Sequence, residues 1–147
     1  MFIFVIFLFF IILDTYIIYQ TREPTSLKMV KERYALLRDY IKNNNTDDRF
    51  KVLEREILIS GFSKDNGSGI GYNTNKGYEI GLCLDGDPNE IFHVLLHELA
   101  HSASTTYSHD DQFWKNFNDL KEMCQKQNIY TPITKKTEFC GRHIQDQ

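Results

Sequence analysis

Apolar and polar positions divide this chain into an uninterrupted apolar start and a patterned remainder. Met1 to Leu13 carries no polar residue, Asp14-Thr15 follows, and Tyr16-Ile17-Ile18-Tyr19 completes a stretch over 1–19. As a helix this stretch is about 28 Å long, close to a bilayer core of roughly 30 Å. Its Phe, Ile, Leu and Val residues, at about −0.3 to −0.6 kcal/mol each, outweigh one off-centre Asp at roughly +3 kcal/mol. The segment is therefore expected to be a transmembrane anchor, residues 1–20, ahead of a soluble domain, residues 21–147. A cleaved signal peptide would show a basic start and small residues at the cleavage site, and neither is visible. An amphipathic surface helix would need a polar face, which the segment lacks.

Beyond the anchor the periodicity changes. Leu27, Val30, Tyr34, Leu37 and Ile41 recur at 3,4,3,4 spacing, which predicts an amphipathic helix over 26–42 opened by Ser26. A polar break at 43–48 follows. Residues 49–56 read as a short helix, 57–59 as a short strand and 63–68 as a loop. Ile70 and Tyr72 alternate before a turn at 73–77, and Tyr78, Ile80, Leu82 and Leu84 alternate after it, the pattern of a hairpin. Asp87, Pro88 and Glu90 announce a helix over 88–103 with a capping box. A second helix over 110–127 buries Phe113, Phe117, Leu120 and Cys124, with Trp114 beside them. The tail, 129–147, contains Pro132 and Gly141 and reads as irregular. This order predicts an α+β domain with a small sheet beside the 88–103 helix.

Composition narrows the class. Residues 21–147 suffice for one domain with one hydrophobic core. All 17 basic residues lie there, with all acidic residues but Asp14, so the domain carries a small negative charge. No basic stripe appears, and nucleic-acid binding is not supported. Arg22, Lys28, Lys31, Arg33 and Arg38 follow the anchor with no cation before it, so the positive-inside rule places the domain in the cytosol. Asn44-Asn45-Thr46 and Asn66-Gly67-Ser68 match glycosylation acceptors and would matter only in the opposite orientation. Cys83, Cys124 and Cys140 are odd in number and lack a close pair. They are expected to be buried small hydrophobes in a reducing compartment rather than a disulfide or zinc framework.

The chemistry lies in His97-Glu98-Leu99-Ala100-His101. Four residues apart on a helix, His97 and His101 stand one above the other, within reach of one tetrahedral zinc. Glu98 lies next to such a metal, free to handle a water proton. The other positions of this helix are apolar, so the polar cluster needs partners to offset its burial. A hydrogen-bonded histidine pair without metal is the bland alternative. A catalytic zinc takes three protein ligands, and His109, at the start of the next helix, is the expected third. Glu122 is the alternative and lies far along that helix. Asp110 or Asp111 would either orient His109 or cap the helix. His93 reads as a hydrogen-bonding neighbour, His143 as exposed. Tyr107, Tyr130 and His93 are candidates for steadying an oxyanion.

The segment HELAHSASTTYSHDDQFW, 97–114, resembles the signature of the WLM group of zinc metallopeptidases and their relatives in large DNA viruses; SprT-like proteases share the plan more distantly. The resemblance extends to EIGLCL, 79–84, and to IYTP…EFCGRHI, 129–144, and covers roughly 47–144. It implies a minimal zincin-like fold, His97, His101 and His109 as zinc ligands, and Glu98 as catalytic acid/base. Ser108 stands where viral relatives often have Gly, and Phe139 where they often have Tyr. Some WLM relatives act on DNA–protein crosslinks, a role that the acidic balance here argues against. The expected function is zinc-dependent hydrolysis of a protein or peptide substrate, endopeptidase-like. The alternatives are a zinc-stabilised, catalytically inactive membrane-tethered interaction module and an adaptor without metal.

Overall fold

The computed structural model describes residues 2–44, 47–64, 67 and 69–146. Asn45 and Thr46 of one glycosylation acceptor triplet, Asn66 and Ser68 of the other, and with them part of the 63–68 loop, fall outside the described residues.

Helix α1 spans Phe2–Thr21. Its segment Ile3–Thr21 is long and apolar enough to cross a membrane, and none of it is buried against the protein. Helix α2 follows at Thr25–Asn43. It begins one residue before the predicted Ser26, because Pro24 takes the cap position and its fixed φ sets the entry. Its buried face is the predicted stripe, Leu27, Val30, Tyr34, Leu37 and Ile41. Asp47 then caps a 3-10 helix, Asp48–Glu54, which buries Phe50 and Leu53 against α2.

Three strands form the main sheet: β1, Leu58–Phe62, β2, Gly71–Thr74, and β3, Glu79–Cys83. Their order is β1-β3-β2. The predicted hairpin is β2 antiparallel to β3, with Asn73 opposite Ile80. β1 pairs parallel to the other side of β3, Ile59 opposite Ile80. The predicted strand at 57–59 is β1, displaced to 58–62; a short apolar run gives no register, so its parallel pairing could not be anticipated.

Helix α3, Pro88–Ser102, carries the full capping box at Asp87 and Glu90. It buries Ile91, Phe92, Val94, Leu95, Leu96, Leu99 and Ala100, and packs against α2, the sheet and the helix that follows it. Helix α4 spans Asp111–Lys126 and is capped by Asp110. Two short antiparallel strands, β4, Thr137–Phe139, and β5, Arg142–Ile144, give the tail a structure that its sequence pattern did not predict.

The cysteines require a correction. Cys83, at the end of β3, is disulfide-bonded to Cys140 in the β4–β5 turn, 57 residues away. Only Cys124 stays free and buried. Spacing along the chain could not show this pairing, because the tail folds back over the end of the sheet. The argument for a reducing compartment, drawn from unpaired cysteines, falls with it.

Candidate metal centre

α3 presents His97, Glu98 and His101 from one buried helix, and the chain must return before a third ligand can join them. The return is held by bonds that the sequence pattern did not announce. Asn116 of α4, fully buried, donates to the Ala103 carbonyl and to Ser104 Oγ, both at 3.0 Å. Its own carbonyl accepts from Arg49 at 2.8 Å. Gln112 accepts from the Thr105 N–H and hydroxyl. Asp110 accepts from the Phe113 N–H at 3.0 Å and from Thr106 Oγ1 at 2.6 Å, so it caps the helix and fixes the loop rather than orienting His109.

These bonds place His109 over the α3 pair. Its Nε2 stands 3.1 Å from His101 Nε2 and 3.1 Å from His97 Nε2. All three donor atoms lie within 4.8 Å of one another. Two nitrogens sharing a tetrahedral zinc at 2.0–2.1 Å would be about 3.4 Å apart, close to what is seen. Phe113 forms the apolar floor, its ring centroid 4.8, 4.4 and 4.6 Å from the rings of His97, His101 and His109. Burial and the neighbouring imidazoles push the His97 pKa down to about 3 and lower that of His101, so both favour the neutral form that ligates metal. Three converging Nε2 atoms cannot all satisfy one another, since each neutral ring has one N–H for two nitrogens. A cation resolves that conflict, so the donor set fits a metal ion. His101 Nδ1 is buried without a hydrogen-bond partner among the described residues.

Glu98 is buried, and burial raises its carboxyl pKa to about 7. Its carboxylate has no hydrogen-bond partner among the described residues, while its backbone carbonyl accepts from Asn73 Nδ2 at 2.7 Å. Asn73 also donates to Ser102 Oγ at 2.8 Å and accepts from the Gly77 N–H at 2.6 Å, which ties the β2–β3 turn to α3. Asn75, Lys76 and Gly77 of that turn are left-handed, at φ 48°, 51° and 93°. Lys76 Nζ donates to the Ser104 and Thr105 carbonyls and lies 4.7 Å from the Tyr107 ring. Asn73, Lys76, Glu98, His101 and Tyr107 thus share one cleft of about 200 Å³.

Of the oxyanion candidates, only Tyr107 lies in that cleft. His93 and Tyr130 belong to a separate buried network, with His93 Nδ1 2.8 Å from Tyr130 Oη. Tyr130 donates to Asp146 at 2.5 Å, and Lys121 donates to the same carboxylate at 2.8 Å. Glu122 is paired with Lys126 on an exposed face, away from the histidines. His143 is exposed, as expected.

Comparisons with known proteins assign the chain to a family. The WLM domain model matches residues 18–147, and the chain belongs to that family. An uncharacterised protein of Acanthamoeba polyphaga mimivirus is 29% identical over 141 residues, covering 82% of this chain and 70% of that protein. Wss1 from Saccharomyces cerevisiae has a similar fold, with a TM-score of 0.51 at 19% identity, covering 67% of this chain and 77% of that one. A Wss1 mutant from S. pombe has a TM-score of 0.41 at 25% identity, over 63% of this chain and 86% of that one.

Proposed function

We propose that this WLM-family chain is a zinc-dependent peptidase of zincin-like fold, residues 21–147, tethered to a membrane by residues 1–19. The observation that carries the reading is the convergence of three imidazole Nε2 atoms at 3.1 Å beside a buried, unpartnered carboxylate. His97, His101 and His109 would hold zinc. Zinc bound there supplies Lewis acidity, which polarises a carbonyl and acidifies water.

Glu98 supplies the proton chemistry. With its carboxyl pKa raised to about 7, it can take a proton from the attacking water and pass it to the leaving amine. Burial leaves its oxygens free of competing donors, and Asn73 holds the backbone beneath them. A structural metal site has no need of a carboxylate placed this way. Tyr107, exposed on the Glu98 side, offers a hydroxyl for the developing oxyanion. The substrate is a protein or peptide.

For orientation, the five cations between Arg22 and Arg38 favour a cytosolic domain, whereas the Cys83–Cys140 bond favours an oxidising compartment. We retain the cytosolic side, because flanking charge acts on insertion itself. On that side the Cys83–Cys140 bond would form only where the folded domain meets oxidising conditions.

Elemental analysis of the full chain, purified in detergent, tests the centre. About one zinc per chain is expected, and its loss in His101→Ala. A folded wild type that takes up no zinc from solution would refute the proposal.

A further inference from the structure

Beside His97 lies a second cleft of about 280 Å³, which shares no lining residue with the Glu98 cleft. Ile70, Trp114 and Phe117 give it apolar walls, and His93 and Lys121, each 6% exposed, lie at its base. His97 opens onto it, so its occupant would sit beside the metal centre.

The hydrogen-bond network behind the cleft fixes what its base can offer. Tyr130 gives its only proton to Asp146, so its oxygen accepts from His93 Nδ1–H. In the neutral ring this leaves His93 Nε2 as an acceptor, with no partner among the described residues. Lys121 gives one proton to Asp146 at 2.8 Å, and its Nζ lies 4.4 Å from the Phe117 ring centroid. Its remaining protons have no other partner among the described residues. The base therefore offers an acceptor and a donor around one carboxylate, Asp146, which pairs with Lys121 at 2.8 Å and faces His93 Nδ1 at 3.4 Å.

Each class of side chain meets these groups differently. An aliphatic side chain would bury the donor and the acceptor unsatisfied. A carboxylate would find Lys121 already neutralised and Asp146 just behind it. A phenol meets both needs, with its ring against Trp114 and Phe117 and its hydroxyl accepting from Lys121 and donating to His93. We infer that this cleft is a specificity subsite for a tyrosine side chain flanking the scissile bond. The inference takes its ligand from the peptidase reading above.

Trp114 is the chain's single tryptophan, so its emission reports occupancy whether or not hydrolysis occurs. The test uses the zinc-loaded full chain in detergent. Glu98→Gln protein is titrated with acetylated, amidated Ala-Tyr-Ala and Ala-Phe-Ala under indole-selective excitation, while wild type is given a mixed peptide library. Tyrosine peptide should bind roughly tenfold or more tighter than phenylalanine peptide. Library cuts should concentrate at one tyrosine-flanked position, and Lys121→Met or His93→Leu should level the ratio. Cleavage without tyrosine preference, with no tyrosine-selective emission change, would overturn the subsite and leave the peptidase standing. A tyrosine-selective emission change with no peptide cleaved would support the subsite and refute the peptidase.

Discussion

Glu98 and Gly71 share a space that only one side chain can fill. A Cβ at Gly71 would stand 2.6 Å from Val94 Cγ1 and 3.3 Å from Glu98 Oε1. Val94 is buried and cannot yield freely. Gly71→Ala is therefore expected to retain zinc while lowering kcat roughly tenfold or more, as a displaced base would. Unchanged kcat would show that the carboxylate tolerates the shift. Removing the base itself is more severe: Glu98→Gln should keep its zinc and lose on the order of 10²–10⁴ in kcat. Full activity in that variant, measured on any peptide the wild type cleaves, would refute the role of Glu98. The two residues differ in how visible they were. Glu98 is marked by its place between two histidines four apart, a local pattern. Gly71 is one glycine among eight, and its meaning depends on Val94 and Glu98, more than twenty residues further along.

At the scale of elements, α3 carries a consequence for acid stability. The His97 pKa falls from 6.5 to about 3 in the folded chain, mainly through burial. Between those values the unfolded chain binds the proton and the folded chain does not, so stability falls as pH falls. Glu98, its carboxyl raised from 4.5 to about 7, acts with the opposite sign above about pH 4.5, so the thermal midpoint of the metal-free chain should drop mainly as pH is lowered from about 4.5 towards 3. The slope should be shallower in His97→Gln, and an equal slope would refute the assignment. The elements best foreseen were those with local signals. The α2 stripe follows from apolar spacing and the start of α3 from Asp87, Pro88 and Glu90. His109 could be proposed as a ligand only because a helix-turn-helix brings the chain back. The bonds that hold the return, from Asn116 and Gln112, join residues whose nearness only the fold creates. The β4–β5 hairpin escaped notice because its strands are three residues each. Its turn, with Cys140 and Gly141 at φ 47° and 77°, has no apolar alternation around it.

For the whole molecule, the Cys83–Cys140 bond ties the tail to the sheet and so supports both the wall of the second cleft and the Asp146 network. Closing a 57-residue loop is worth on the order of 4 kcal/mol. Cys140→Ser should lower unfolding stability by a comparable amount in denaturant titration, and added dithiothreitol should then have no further effect. Equal stability of the variant and the oxidised wild type would show that the bond contributes little. The family match spans both the core and the tail, so this closure lies within the domain that the match defines.

The junction between α1 and α2 limits where such an enzyme could act. α1 ends at Thr21 and α2 begins at Thr25, leaving Arg22, Glu23 and Pro24 between them. Glu23 is ion-paired to Lys31 of α2, and three extended residues reach only about 10 Å. With α1 in a bilayer, the domain would patrol a thin layer at the lipid surface, and its encounters would depend on lateral density rather than bulk concentration. Its natural targets would then be residents of the same membrane, or proteins docked onto it, cut close to where they emerge.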